Sequence, residues 1–231
     1  MKVAVIYTST TPELIEDVNN EIHNMLGSDT EVICFSDASI LAEAREYGAV
    51  TATAASRLIS LYMEAVREGA DAILNACSSV GEVADAAQFI ARYIGVPIVR
   101  IDEEMCREAV RKGMRIAVVA TLPTTLQPTR NTILRVAREL GRQVKLTDVL
   151  VDGAFGLSQD EFKVKIQKAC LGVSDKADVI LFAQGSMAYC EKMVQQSTGK
   201  TTLSSPRFGA LALRNALAMK GLINTETEKH K

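Results

Sequence analysis

Residues 70–79 read ADAILNACSS and residues 177–186 read ADVILFAQGS, identical at six of ten positions without a gap. The pairing sets Cys77 opposite Gln184. A thiol can take and return protons near neutral pH, whereas a carboxamide only donates and accepts hydrogen bonds. Two such segments facing each other across a cleft would place an acid, base or nucleophile on one wall. The other wall would hold a fixed polar group.

Two further loops have the same character. Thr8, Ser9 and Thr10 follow the apolar run VAVIY, and Thr121, Thr124 and Thr125 follow its echo RIAVVA. Asn75, Ser78 and Ser79 surround Cys77, and Gly185 and Ser186 follow Gln184. These loops contain hydroxyls, amides and backbone N–H groups but no lysine, arginine or carboxylate. Neutral donors at helix starts suit one small carboxylate. Arg57, Arg100 and Arg207 are the arginines that would have to supply a charge from elsewhere. No GxGxxG or GxxxxGK[ST] pattern follows any apolar run, which argues against a nucleotide.

Each of these residues also has a plainer reading. Cys77 at a helix N-terminus is expected to have a depressed pKa, but a free cysteine at a strand end is often small core filling. The hydroxyls beside it favour the first reading, since buried hydroxyls need partners. Each threonine loop should spend one residue on a helix cap, and Ser204–Ser205–Pro206 shares that ambiguity. Glu82 and Asp85 are expected to support the helix after Cys77 rather than act as bases. Cys190 lies about a turn and a half beyond Gln184 and should point elsewhere.

The elements that must position these loops alternate. Apolar runs at 3–7, 31–35, 72–75 and 98–101 read as parallel strands covered on both faces. Between them, 12–26, 51–68 and 81–93 have helical spacing, with Ile15, Val18, Ile22 and Met25 on one stripe of the first. Residues 40–48 form either another helix or a lid. The pattern restarts with strands at 115–120, 144–151, 179–182 and 201–203, and helices at 129–140, 159–173 and 186–196. The fold expected is α/β: two pseudo-symmetric doubly wound lobes, each with a parallel four-stranded sheet and the active site between them. The first lobe would comprise residues 1–102 with 207–231, and the second 103–206, the helix at 206–220 returning to the first lobe. The polar tail at 224–231 reads as frayed.

Composition narrows the partners. With 231 residues and 48% hydrophobic content the chain can bury a substantial core. A net charge of −2 without a basic run argues against nucleic acid. No apolar stretch reaches membrane-spanning length, and the apolar run after Met1 is too short for a signal-peptide core, so a cytoplasmic protein is expected. Five scattered cysteines and two histidines, His23 and His230, offer neither a disulfide framework nor a zinc site.

The NxCSS turn holding Cys77, the TLPTT loop and a second-lobe turn ending in Met187 together resemble the aspartate/glutamate/hydantoin racemase superfamily over essentially the whole chain. The resemblance implies two pseudo-symmetric lobes, no cofactor, and proton transfer beside a carboxylate or carbonyl by two opposed cysteines. Cys77 matches the first of these. Asn75, Ser78, Thr8–Thr10 and Thr121–Thr125 match the parts that hold the substrate carboxylate. Gln184 stands where the second cysteine belongs. The expected activity is a racemase- or epimerase-like isomerase with Cys77 as acid, base or nucleophile and Gln184 as an oriented donor. A one-cysteine decarboxylase or lyase, and a non-catalytic carboxylate-binding protein, are the competing readings. A homo-oligomer is an open expectation by the same analogy.

Overall fold

A computed structural model describes residues 1–224, so His230 and nearly all of the polar tail lie outside the described residues. Two four-stranded parallel sheets form the frame. The first contains β1 (Lys2–Tyr7), β2 (Glu31–Ser36), β3 (Ala72–Asn75) and β4 (Ile98–Arg100), in the order β2-β1-β3-β4. The second contains β5 (Arg115–Ala120), β6 (Lys145–Leu150), β7 (Val179–Phe182) and β8 (Thr201–Leu203), in the order β6-β5-β7-β8. Each order reverses direction between its first and third strands, where a doubly wound sheet opens its crevice. In register, Val3 pairs with Ala72 and Ile116 with Val179.

The central strands are covered on both faces, as their unbroken apolar runs require: β3 and β7 are buried at every position. Edge strands β2 and β6 are only half-covered and depart from that expectation. The helices are α1 (Pro12–Leu26), α2 (Ala38–Tyr47), α3 (Ala52–Arg67), α4 (Gly81–Ala86), α5 (Gln88–Ile94), α6 (Glu103–Lys112), α7 (Pro123–Glu139), α8 (Gln159–Val173), α9 (Glu191–Thr198) and α10 (Pro206–Met219). In α1 the buried stripe is Leu14, Val18 and Ile22, with Ile15 and Met25 only packed beside it.

Three segments differ from the sequence expectation. Residues 81–93 break into α4 and α5 after a 3₁₀ turn at Ser78–Val80. The Gln88 side-chain amide donates to the Ala84 and Ile98 carbonyls, at 2.8 and 2.7 Å, which ties the break to β4. Helix α7 begins at Pro123, not near 129, because proline suits the first helical position; Thr124 and Thr125 therefore lie inside it. After Gln184 the chain makes a 3₁₀ turn, Gly185–Cys190, before α9 begins. Residues 40–48 resolve as part of α2, capped by the Asp37 carboxylate.

The last helix packs on α1 and against β3 and β4 of the first sheet. Ala210, Leu213 and Leu217 share one apolar cluster with Val3, Val5, Leu14 and Val18. Gly209 permits this approach, since a Cβ there would meet Ile101 at 2.7 Å and Leu74 at 3.2 Å. Leu213 is fully buried in that cluster. Leu213→Ala should therefore cost about 2–5 kcal/mol of stability, read as a lower urea midpoint.

Candidate active site

The loops after β1, β3, β5 and β7 line one cleft of about 420 Å³, drawing residues from both sheets. Thr8, Ser9, Thr10, Cys77, Ser78 and Ser79 line it from the first lobe. Thr121, Thr125, Gln184, Gly185 and Ser186 line it from the second. Asn75 and Thr124 do not line it. Asn75 is wholly buried: its Oδ1 accepts from Tyr62 Oη at 3.0 Å, and its Nδ2 donates to the Cys77 carbonyl at 2.9 Å. It braces the Cys77 turn and does not face a ligand.

Cys77 precedes the 3₁₀ turn in extended backbone, φ −136° and ψ 114°, and keeps part of its surface open. Burial pushes its thiol above the ordinary range, and donors at Thr8, Ser79 and Val80 offset this only in part. The depressed pKa expected from a helix N-terminus is therefore not what the surroundings produce. Three residues of 3₁₀ turn supply little dipole, and desolvation of the anion wins. The resting group is a neutral thiol, which is a proton donor; once ionised it is a stronger base than an exposed thiolate.

Gln184 is fixed by its neighbour. Thr121 donates to Gln184 Oε1 from its backbone N–H at 2.6 Å and from its hydroxyl at 3.0 Å. A backbone N–H can only donate, so the oxygen must face Thr121 and the amide NH₂ is the end left for the cleft. Gly185 follows because the space is closed: a Cβ there would meet Leu14 of α1 at 2.9 Å and the Ser205 hydroxyl at 3.3 Å.

Several hydroxyls behave unlike caps. Thr11 caps α1, its Oγ1 accepting from Leu14 N–H at 3.2 Å, but no threonine caps α7. The Ser78 hydroxyl is buried without a partner at the cleft wall, that of Thr8 is buried there with nothing but the Cys77 thiol beside it, and those of Thr124 and Ser205 are buried without a partner nearby. Ser79 bonds Thr125 across the lobes at 2.9 Å. Ser204 bonds Glu191.

The expected arginines stay away from the cleft. Arg100 is buried against Asp102 at 2.9 Å and Asp85 at 2.6 Å, so Asp85 serves that ion pair. Arg57 pairs with Glu43, and Arg207 with Glu191. Glu82 accepts from Asn131 of α7 at 2.9 Å, a second link between lobes. Cys190 lies in the core with Met187 and Cys170. Among the described residues no group of three or more His, Cys, Asp or Glu side chains could hold a metal ion.

The mouth escaped the sequence reading. Residues 152–158, between β6 and α8, bring Phe155, Gly156 and Leu157 to the cleft, and α1 brings Glu13. Glu13 accepts from Gln159 Nε2 at 2.6 Å across the lobes. Burial above all, with Cys190 and Glu13 nearby, pushes the Tyr189 phenol up to about 12. Gly153 and Gly156, both at positive φ, were a readable signal of a tight loop at a strand's carboxyl end.

The profile of the Asp/Glu/Hydantoin racemase family matches residues 3–213. Among solved structures, a glutamate racemase from Bacillus anthracis superposes with a TM-score of 0.73 at 17% identity, covering 96% of this chain and 84% of that one. An allantoin racemase from Klebsiella pneumoniae gives 0.68 at 18% identity, covering 99% and 91%. One from Pseudomonas fluorescens gives 0.62 at 20% identity, covering 99% and 95%. No match is found among curated proteins.

Two outcomes follow from the geometry. Gly185→Ala should press on Leu14 and Ser205, costing about 1–3 kcal/mol in thermal or urea unfolding. Alkylation of Cys77 by iodoacetamide, followed by mass spectrometry, should still be accelerating above pH 9, because the reactive thiolate forms only as pH passes a raised pKa.

Proposed function

The chain belongs to the Asp/Glu/hydantoin racemase family, and on that premise we propose a cofactor-independent isomerase acting at the carbon beside a carboxylate or carbonyl of a small acid. One observation carries this reading: Cys77 and Gln184 occupy corresponding turns of the two lobes and line the same cleft. The Thr8 and Ser78 hydroxyls, with backbone N–H groups of the Cys77 turn, would hold the carboxylate. Cys77 as thiolate would remove the α-proton, and the Gln184 NH₂ would donate to the oxygen that gains charge.

The two faces are unequal in proton chemistry. Gln184 has no proton to exchange in the useful range. Glu13 is held below the usual carboxylate range by its own backbone N–H, by Thr11 and by Gln159, so it is ionised and not a donor. Tyr189, near 12, is the titratable group that the second lobe offers to the cleft. Removal and return of a proton by Cys77 alone gives exchange with retention; inversion needs a proton delivered to the opposite face, from Tyr189 or from water, so exchange with solvent should outrun inversion.

The same inequality favours a second reading, a decarboxylase or lyase in which Cys77 delivers one proton to one face. Incubation with small acids and hydantoins in D₂O separates them. The isomerase reading expects enzyme-dependent deuterium at the α-carbon with recovery of the acid. The second expects loss of CO₂ or of another leaving group. Absence of both across amino, hydroxy and hydantoin compounds would leave a carboxylate-binding protein. Cys77→Ala should lower turnover by about 10²–10⁴-fold with ligand binding kept. Gln184→Ala should cost roughly 10²-fold.

A further inference from the structure

The cleft lining is of two chemical kinds. Beside the hydroxyls and amides of the four loops, Leu14, Leu41, Phe155, Leu157, Phe162 and Tyr189 also line it. Phe155 and Leu157 come from the second lobe, Leu14 and Leu41 from the first, so this apolar lining is assembled only when the lobes meet. Among the described residues the single charged side chain lining the cleft is Glu13. Two cations stand close by without lining it: Arg45 stacks on Phe155 at 5.0 Å and Lys163 on Tyr189 at 5.7 Å.

We propose that the substrate carries one carboxylate and an apolar substituent of aryl or branched-alkyl size, not a second carboxylate. This rests on the isomerase reading of the cleft. With the first carboxylate against the hydroxyls, a second would meet the leucine and phenylalanine side chains of the remaining lining, whose one charged group is the Glu13 carboxylate. No cation lines the cleft to pair with it, since Arg45 and Lys163 lie against the Phe155 and Tyr189 rings and outside the lining, and a charge that loses water without gaining a partner is disfavoured. An apolar group in the same place removes both surfaces from water. A cavity of about 420 Å³ has room for such a group beside the carboxylate.

The test uses the intact protein and three probes: acetate, succinate and phenylacetate. Binding is followed by titration calorimetry and by protection of Cys77 from iodoacetamide. Phenylacetate should bind at least about tenfold more tightly than either other acid, the discrimination an apolar pocket achieves with a few carbons. Phe155, 41% exposed, tolerates truncation; Phe155→Ala should weaken phenylacetate and leave acetate unchanged. Glu13→Gln should strengthen succinate and leave phenylacetate within about twofold. Succinate binding as tightly as phenylacetate to the unaltered protein overturns the substrate class but leaves a carboxylate site in place. Failure of all three acids to bind or to protect Cys77 overturns the isomerase site itself.

Discussion

Each lobe is closed at its chemical edge by the other, and the rest of the molecule depends on that reciprocal seating. Helix α1 of the first lobe rests on the 3₁₀ turn after Gln184, and helix α7 of the second rests on the turn after Cys77. The contacts are close and specific: Leu14 against Gly185, Ser79 bonded to Thr125, Glu82 to Asn131, and Glu13 to Gln159. Parallel sheets leave their carboxyl edges lined with backbone N–H groups and polar loop residues that water would otherwise solvate. Bringing two such edges together excludes much of that water and leaves donors facing a shared volume. Rigidity of the seam therefore sets the distance between the two walls, and with it any chemistry the cleft performs.

Within that frame the walls have diverged in a readable way. On the first, burial holds Cys77 protonated, with Tyr62 and Asn75 fixing its turn from behind. On the second, Thr121 occupies the Gln184 oxygen and so determines which end of the amide faces inward. Where the first lobe has Ser78, the second has Gly185, because α1 and Ser205 take the space a side chain would need. Pseudo-symmetry thus holds in the backbone and is relaxed where side chains meet the ligand volume.

Much of this was legible in the chain itself. The repeated ADxILxA segment placed β3 and β7, and the strand and helix order followed from apolar runs alternating with helical spacing. The cleft-lining hydroxyls were legible because loops after parallel strands must gather at one edge. What was not legible depended on tertiary contact. Asn75 looked like a ligand-binding amide, but its destination is set by Tyr62, thirteen residues earlier, across a buried bond. Arg100 looked available, yet Asp85 and Asp102 consume it. The direction of the Cys77 shift turned on how completely its surroundings exclude water, which no local pattern reports. Phe155 and Leu41 reach the cleft from segments far apart in sequence, so only the assembled lobes show them together.

The return of α10 to the first sheet bears on how the chain is made. Val3, Val5, Leu14 and Val18 share one apolar cluster with Ala210, Leu213 and Leu217, so that cluster stays open until α10 has left the ribosome. The second sheet draws its four strands from one uninterrupted stretch, and the cluster on one of its faces, around Ile166, Ile180 and Phe182, takes nothing from α10, although the other takes Phe208. The half synthesised first must therefore wait, with apolar surface exposed, for α10 to arrive, while one face of the second sheet can close without it.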